Sequence, residues 1–317
     1  MNKKDYRIVF MGTPDIAKDV LEALINDDYN IVGVVAQPDK PVGRKKILQE
    51  VPTKVVAKIH NIPVFQPIKI KLDYEFMKEL KPDVIITLAY GQIVPQGLLD
   101  IPTIGAINLH GSLLPKYRGA APMQYALING DKVTGMTLMQ MIDKMDAGLM
   151  YMKKNVEISN DDTLSILTKK MTQAAIDLIL EALPLYIENK LLGEEQDESL
   201  VSFCPTIKKE QEHLDLTLSA QTIVNWIRAL NDHPGAYLLM DDTKLKIWKE
   251  VFTDYKVLII LFVTLILFDL AISYDPNKKN VSKTKESKIK PAKIECINDI
   301  KEEKKNVDKI NNDEILD

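Results

Sequence analysis

The first forty residues alternate between two short β-rich runs and a helical run, and this order constrains the fold more than any other feature of the chain. YRIVFMG at 6–12 ends in a glycine, and NIVGVVAQ follows at 30–37. Between them, residues 15–26 place apolar side chains at helical spacing, with Pro14 positioned for a first helical turn. This order predicts a βαβ unit, whose strands pair in parallel through a right-handed crossover.

Further apolar runs of strand length follow along residues 1–190. DVIITLAY at 83–90 and IGAINLH at 104–110 have the composition of buried strands, and GMTLMQM at 135–141 is a third candidate. A long helix is expected from Asp162 to about Asn189. We therefore predict an α/β fold with a doubly wound, mostly parallel sheet, in which ligands bind beyond the carboxyl ends of the strands.

The composition is ordinary for a soluble globular protein, with 46% apolar and 27% charged residues. The net charge of −4 provides no global basic field, so a nucleic-acid site would have to rest on a local patch. Cys204 and Cys296 form no metal motif and no disulfide framework, which is typical of a reducing compartment. Because the four histidines show no ligand spacing and no signal peptide is evident, we expect a cytoplasmic protein without a metal.

The second part of the chain changes in character twice. Residues 191–218 are polar and irregular, and a short helix is expected at 220–230. AYLLM and KLKIWKE then predict a β-hairpin around Asp241 and Asp242, the start of a smaller β-rich domain. The last segment, 275–317, carries 21 charged residues and six asparagines. Such a tail buries too little apolar surface to fold alone, so we expect it to be disordered.

The apolar run at 257–272 admits two interpretations. Its sixteen residues, which include Asp269, are fewer than the ~20 that usually span a membrane. A charge costs about 2.5–3.5 kcal/mol at the centre of a spanning helix, although Asp269 lies near one end of the run. An element buried in a second domain is favoured, and a short membrane anchor is the alternative.

A candidate catalytic group forms at the end of the predicted strand 104–110. Asn108 and His110 are two residues apart, so both side chains point to the same face of a strand. An amide donor beside an imidazole is suited to stabilising an oxyanion. Asp146, in the loop DKMDAG, is suited to orienting the imidazole or accepting a proton. The alternative is an ordinary histidine at a strand end and a solvated aspartate.

Three loops at the same edge of the predicted sheet offer candidate ligand contacts. QPDKPVGRKK at 37–46 has four basic residues among its last seven, which suits phosphate contacts, although a solvated loop is the alternative. SLLP at 112–115 is suited to walling a pocket for a flat heteroaromatic ligand, or simply covers the sheet edge. GTPD at 12–15 resembles a phosphate-binding turn only loosely, because it lacks two of the glycines of a dinucleotide-binding loop. A strand-to-helix turn is the alternative.

Taken as a set, the motifs of this chain resemble those of the methionyl-tRNA formyltransferase family. They occur in the order found in that family and extend from residue 1 to about residue 250. The matching motifs are MGTPD at 11–15, QPDKPVGR at 37–44, FQP at 65–67, AYGQIVP at 89–95, INLHGSLLPKYRGAAP at 107–122, TGMTLMQM at 134–141, MDAG at 145–148 and IRALN at 227–231.

The resemblance implies a reaction, its substrates and its site residues. The formyl group of 10-formyltetrahydrofolate would move to the α-amino group of methionine on the initiator tRNA, for translation initiation in the cytoplasm and without a metal. Asn108, His110 and Asp146 would carry the catalysis. The implied ligand contacts are Ser112, Leu113, Leu114 and Pro115 for the folate, and Arg44, Lys45 and Lys46 for the acceptor end of the tRNA. We expect the protein to be a monomer.

The resemblance also implies a domain organisation, with one departure. We expect a folate-binding, catalytic formyltransferase domain at 1–190, a linker at 191–218, a partial tRNA-binding C-terminal domain at 219–274 and the tail at 275–317. After LKIWKE the family continues into a small β-barrel, whereas this chain continues into the apolar run. A shifted reading frame and a lineage-specific replacement both account for residues 251–317, and the C-terminal domain is expected to be incomplete.

Two other functions stay open at the level of the sequence. A formyltransferase of the same fold that acts on an amino sugar nucleotide is disfavoured by the basic loop at 37–46, because a small substrate needs no such arm. A degenerate or membrane-tethered folate-binding protein without turnover is disfavoured by the intact Asn108, His110 and Asp146, although the altered C-terminal sequence favours it.

Overall fold

The computed structural model describes residues 2–42, 46–240 and 243–248. The predictions made for the apolar run at 257–272 and for the tail at 275–317 lie outside the described residues, as does the question of the reading frame. Among the helices in the described ranges, none is long and apolar enough to cross a membrane.

Strands and helices follow one another along the described chain in the predicted alternation. The strands are β1 (Arg7–Gly12), β2 (Asn30–Val35), β3 (Lys40–Val42), β4 (Ile47–Gln49), β5 (Val64–Phe65), β6 (Val84–Leu88), β7 (Gly105–His110), β8 (Arg118–Gly119), β9 (Val133–Gln140), β10 (Met150–Glu157), β11 (Phe203–Cys204), β12 (Ala236–Met240) and β13 (Thr243–Ile247). The helices are α1 (Asp15–Asn26), α2 (Pro52–Ile59), α3 (Phe76–Leu80), α4 (Gln96–Leu99), α5 (Pro122–Ile128), α6 (Leu164–Ile187) and α7 (Ala220–Leu230).

The central sheet has seven strands in the order β10-β9-β7-β6-β1-β2-β5. Five neighbouring strands are parallel to one another, namely β7, β6, β1, β2 and β5. Strand β9 runs antiparallel to both of its neighbours, β7 and β10. The chain builds from β1 first toward β2 and β5 and then toward β6 and β7, so the winding direction reverses beside β1. This topology confirms the predicted doubly wound, mostly parallel sheet, whose ligands bind at the carboxyl ends of the strands near such a reversal.

Apolar cores on both faces of the sheet fix the direction of the side chains along β7. Ile107 and Leu109 belong to the core that α1 and α6 cover. Ala106 belongs to the core on the opposite face, with residues of α3 and α4. Since side chains alternate along a strand, Asn108 and His110 lie on the face of Ala106. The spacing had predicted this shared face.

The segments after α6 fold back onto the part of the chain that carries the sheet. Residues 191–218, expected to be irregular, contain β11, which pairs in parallel with β8. Helix α7 packs against α5, and Asn225 Nδ2 donates to the Ile128 carbonyl oxygen at 3.2 Å. Strands β12 and β13 form the predicted antiparallel hairpin, whose turn lies outside the described residues. The division into domains stays a prediction.

Candidate active site

Asn108 lies near the carboxyl end of β7, opposite Thr87 on β6. The Thr87 hydroxyl donates to Asn108 Oδ1 at 2.7 Å, which fixes the orientation of the amide. Within the described ranges, Asn108 Nδ2 makes no hydrogen bond to the protein, and the residue lines a cavity. The amide therefore presents an N–H donor to a ligand in that cavity.

His110 ends β7 and is buried, with 6% of the residue exposed. Its Nε2 lies 2.8 Å from the Tyr117 carbonyl oxygen. Because a carbonyl oxygen only accepts hydrogen bonds, Nε2 carries a proton, and Nδ1 is the ring atom left for acid–base chemistry. Cys204 Sγ donates to the same carbonyl at 3.1 Å. Burial raises the pKa of this thiol to about 11, so it remains protonated at neutral pH.

Asp146 approaches the imidazole from the loop between β9 and β10. Its φ of 51° lies in the left-handed region, which aspartate adopts more readily than most residues. The Oδ2 atom accepts a hydrogen bond from the Gly119 N–H at 2.8 Å, and Oδ1 lies 3.7 Å from His110 Nδ1. At this distance the carboxylate stabilises positive charge on the ring. The structure thus brings together the three residues that the sequence predicted as catalytic.

A cavity of about 570 Å³ is lined by Asn108 and Asp146, and its volume lies within the ~300–1,000 Å³ of typical small-molecule sites. Its lining includes Asn108 and Asp146, the loop 89–94 after β6, and mostly apolar residues between 139 and 145. Tyr90 belongs to this lining, and its hydroxyl is buried without a hydrogen-bond partner in the part of the chain that the structure describes. Apolar walls with a few polar groups are suited to a flat heteroaromatic ligand.

The loop at 112–115, expected to contact the folate, is not part of the cavity lining. Ser112 and Leu114 are fully buried. Ser112 Oγ donates to the Lys116 carbonyl oxygen at 2.6 Å, and the Leu114 N–H donates to Thr137 Oγ1 at 3.2 Å. These bonds hold the loop as a packed turn against β9. Contact between Leu113 or Pro115 and a folate stays a prediction, and the loop 89–94 lines the cavity instead.

Lys46, one of the three basic residues expected at the tRNA, lies on an exposed arm. Strands β3 and β4 form an antiparallel hairpin, and Lys46 is exposed where β4 begins. Arg44 and Lys45 lie outside the described residues. Ile47 and Leu48 are each 65% exposed, so apolar surface adjoins the positive charge of Lys46.

The base of this hairpin is fixed by one carboxylate. Asp39 accepts hydrogen bonds from the Val51 N–H and from Gln66 Nε2, and it forms an ion pair with Lys54. Burial alone would raise the pKa of Asp39, but the hydrogen bonds from Lys54, Gln66 and Val51 hold it below its usual value. The hairpin therefore extends from a rigid attachment at the carboxyl end of β2.

Sequence reasoning missed the residues that orient the candidate catalytic side chains. The Thr87 hydroxyl donates to the Asn108 amide oxygen. The Tyr117 carbonyl oxygen accepts a hydrogen bond from the His110 ring, and the Gly119 N–H donates to the Asp146 carboxylate. Two of these contacts use backbone groups, which leave no signature in the side-chain pattern. No group of three or more His, Cys, Asp or Glu side chains in the described ranges is placed to hold a metal ion.

The chain matches two protein-family models. The first, described as formyl transferase, covers residues 6–183. The second, described as the formyl transferase C-terminal domain, covers residues 206–257. Together they account for the sheet, the candidate site and the segment that follows.

Relatives and solved structures agree with these matches. The chain is 46% identical over 244 residues to methionyl-tRNA formyltransferase of Lactobacillus gasseri, covering 76% of this chain and 78% of that protein. It is 48% identical over 244 residues to methionyl-tRNA formyltransferase of Bacillus subtilis, covering 76% and 77%. An N-formyltransferase of Helicobacter canadensis, solved with folinic acid and dTDP-3-aminofucose, shares the fold at a TM-score of 0.63 and 21% identity, covering 80% of this chain and 89% of that one. By identity and coverage, this chain belongs to the methionyl-tRNA formyltransferase family.

Proposed function

We propose that this protein transfers the formyl group of 10-formyltetrahydrofolate to the α-amino group of methionine on the initiator tRNA. The observation that carries the proposal is that Asn108 and Asp146 line one cavity, with His110 Nδ1 3.7 Å from Asp146 Oδ1. The relatives named above support the same acceptor, because they are called methionyl-tRNA formyltransferases and match most of this chain.

The cavity fits the heterocyclic end of a folate. Its volume and its apolar walls suit a flat ring system, and the loop 89–94 adds backbone groups that a ring edge can bind. When bound, the folate supplies the formyl carbon and regains a proton on its nitrogen as it leaves. Residues 112–115 remain candidates for contacts farther along the folate.

Asn108 stabilises the charge that develops on the formyl oxygen. As the amine attacks, negative charge accumulates on that oxygen, and a preoriented N–H donor stabilises it. The Thr87 hydrogen bond directs Asn108 Nδ2 to this task, because it holds the amide oxygen on the other side. Removing one donor of this kind typically costs ~10²–10³ in rate.

His110 and Asp146 handle the proton. The attacking amine gains positive charge and loses a proton to His110 Nδ1, the ring atom without a carbonyl partner. The ring then carries two protons, and Asp146 Oδ1 at 3.7 Å stabilises its positive charge. Nδ1 returns the proton to the leaving nitrogen, so the enzyme ends the cycle unchanged.

The acceptor stem of the tRNA would contact the hairpin of β3 and β4. Arg44, Lys45 and Lys46 supply positive charge for phosphates, and the exposed Ile47 and Leu48 supply apolar surface for an unpaired base. A substrate as small as an amino sugar nucleotide would not need this arm.

Single-turnover formylation of methionyl-tRNA tests the proposal. We expect Asn108→Ala, His110→Ala and Asp146→Ala each to lower kcat by at least ~10²-fold, with the melting temperature retained. His60→Ala serves as the control, because His60 is an exposed histidine that directly follows α2.

Two results would contradict the proposal. One is near-normal turnover by His110→Ala. The other is formylation of a dTDP-linked amino sugar by the wild-type enzyme at a higher kcat/KM than that of methionyl-tRNA.

A further inference from the structure

The segment 194–204, called the strap below, runs across the loops that carry the candidate site. At its start, Glu194 and Met150 exchange two backbone hydrogen bonds of 2.8 Å each. At its end, β11 pairs with β8, and the Arg118 N–H donates to the Ser202 carbonyl oxygen at 2.9 Å. The strap therefore joins the start of β10 to the loop that follows His110.

Gln196 lies between these two attachments and is turned inward. It is half-buried, whereas its neighbours from 192 to 195 and from 197 to 200 are exposed. Its Nε2 donates to the carbonyl oxygens of Asp146 at 2.8 Å and Gly148 at 2.9 Å. One side-chain amide thus uses both of its protons on the loop that carries the catalytic carboxylate.

Arg118 fixes the other side of this amide. Its guanidinium Nε donates to Gln196 Oε1 at 2.9 Å, which determines that Nε2 faces Asp146. The Arg118 side chain is 1% exposed, and its terminal nitrogens contact the Glu198 carboxylate at 3.0 and 3.4 Å. Every N–H group of the Gln196 amide therefore has a defined direction.

Both contacts that hold Asp146 depend on the strap. Gln196 holds the Asp146 backbone, which has a left-handed φ of 51°. The Gly119 N–H, which holds Asp146 Oδ2, belongs to β8, and β8 is paired with the strap through β11. The position of the carboxylate relative to His110 Nδ1 thus depends in part on a residue 50 positions later in the chain.

We propose that Gln196 is a positioning residue for Asp146, acting through the Asp146 and Gly148 carbonyl groups, with Arg118 and Glu198 as its support. The inference rests on the formyl transfer proposed above. Gln196 touches neither substrate, and it contributes by keeping the Asp146 carboxylate at its distance from the imidazole. A displacement of about 1 Å at a catalytic group can cost ~10² in rate, so the effect on kcat is measurable.

Two substitutions separate positioning from general structure. Gln196→Met removes both the donor and the acceptor at nearly constant volume. Gln196→Glu keeps an acceptor for Arg118 but cannot donate to the Asp146 and Gly148 carbonyl groups when ionised. We expect both variants to lower kcat by about tenfold or more, with the KM values for tRNA and folate nearly unchanged.

A matched control is Gln173→Met. Gln173 is an exposed glutamine on α6 that donates to Asp177 at 2.7 Å, and its substitution should leave kcat unchanged. Wild-type kcat in Gln196→Glu would overturn the inference, as would a loss that appears only in KM.

A double-mutant cycle with Asp146→Ala tests whether Gln196 acts through Asp146. We expect Gln196→Met to have no further effect on single-turnover formylation when Asp146 is already alanine. An equal loss in both backgrounds would overturn the inference while leaving the proposed reaction intact. Full activity of Asp146→Ala alone would instead overturn the assigned reaction chemistry, and the positioning role with it.

Discussion

At the scale of single residues, the site depends on which groups have hydrogen-bond partners. The His110 ring is oriented because Nε2 donates to the Tyr117 carbonyl, which leaves Nδ1 toward Asp146. Spacing in the sequence predicted that Asn108 and His110 share a face, and the structure confirms it. The spacing could not predict which ring nitrogen is protonated. That depends on the Tyr117 carbonyl oxygen, which lies in a loop seven residues after His110.

Two buried tyrosines provide a test at this scale. Burial raises the pKa of both Tyr90 and Tyr117 to about 12, so both hydroxyls are protonated at neutral pH. The Tyr117 hydroxyl donates to Asp131 at 2.7 Å and accepts from Asn129 at 2.9 Å, whereas that of Tyr90 has no partner within the described ranges. We expect Tyr117→Phe to lower the free energy of unfolding by roughly 1.5–3 kcal/mol.

Tyr90→Phe is the matched substitution, and it should leave the free energy of unfolding unchanged or raise it. Chemical denaturation of both variants measures the difference. A folate titration of Tyr90→Phe should give the wild-type affinity. A tenfold weaker affinity would show that the hydroxyl binds the ligand and would contradict this expectation.

At the scale of elements, the turn between β9 and β10 carries Asp146 and leaves little space for a side chain at position 148. A Cβ atom at Gly148 would lie 2.1 Å from the Gln140 carbonyl oxygen, so the backbone would have to move. We expect Gly148→Ala to lower the free energy of unfolding by about 1–3 kcal/mol. It should also lower kcat by at least tenfold, because the shifted loop displaces Asp146.

Gly97→Ala is the control for this turn. Its Cβ would meet the Tyr74 hydroxyl at 2.7 Å, the far end of a flexible side chain. Since alanine is a better helix former than glycine by up to ~1 kcal/mol, α4 should be unaffected or stabilised. Thermal denaturation and turnover of the two variants check the contrast, and a wild-type profile for Gly148→Ala would contradict it.

Long elements with a clear period were predictable, and short pairings between distant segments were not. The strands β1, β6 and β7 and the helices α1, α6 and α7 lie where apolar spacing predicted them. By contrast, β8 and β11 have two residues each and are separated by more than eighty positions. No local pattern marks such a pair, because its stability comes from tertiary contacts rather than from propensity. The sequence did not predict that residues 89–94 line the cavity, although it contains the family motif AYGQIVP there, because the cavity forms from tertiary contacts.

At the scale of the whole molecule, one loop joins the long helix to the segment after the strap. Asp162 precedes α6, and its carboxylate accepts from the Ser159 N–H at 2.8 Å and from Lys170 Nζ at 2.6 Å. Its carbonyl oxygen accepts from Arg228 Nε of α7 at 2.8 Å. This loop therefore connects α7 to α6, which packs on the central sheet.

The pH dependence of stability should report on this loop. Burial alone would raise the pKa of Asp162, but the hydrogen bonds from Lys170 and Ser159 hold it below its usual value. Because the pKa of Asp162 is lower in the folded state, the ionised carboxylate stabilises the protein at pH values above its unfolded pKa, near 3.9. This stabilisation is lost as the pH falls through the folded pKa. We expect Asp162→Asn to cost about 1–3 kcal/mol at pH 7 and much less at pH 3.

Urea denaturation at the two pH values provides the measurement. Asp161→Asn is the control, because Asp161 is the exposed neighbour of the buried Asp162. Equal destabilisation by Asp162→Asn at pH 7 and pH 3 would contradict the assignment of its stabilising effect to the ionised carboxylate.

The strap also determines when the site becomes complete during synthesis. Gln196 follows Asp146 by 50 residues, and it lies between the two matched family segments, which end at 183 and begin at 206. At a translation rate of ~5–20 residues per second, the ribosome needs about 3–10 s to extend the chain from one to the other. During that interval the nascent chain already contains Asn108, His110 and Asp146, but its aspartate loop still lacks the two hydrogen bonds from Gln196. If Gln196 positions Asp146 as proposed, a chain released early, even one ending after α6, lacks this anchor, and we expect lower activity from it than from the full chain.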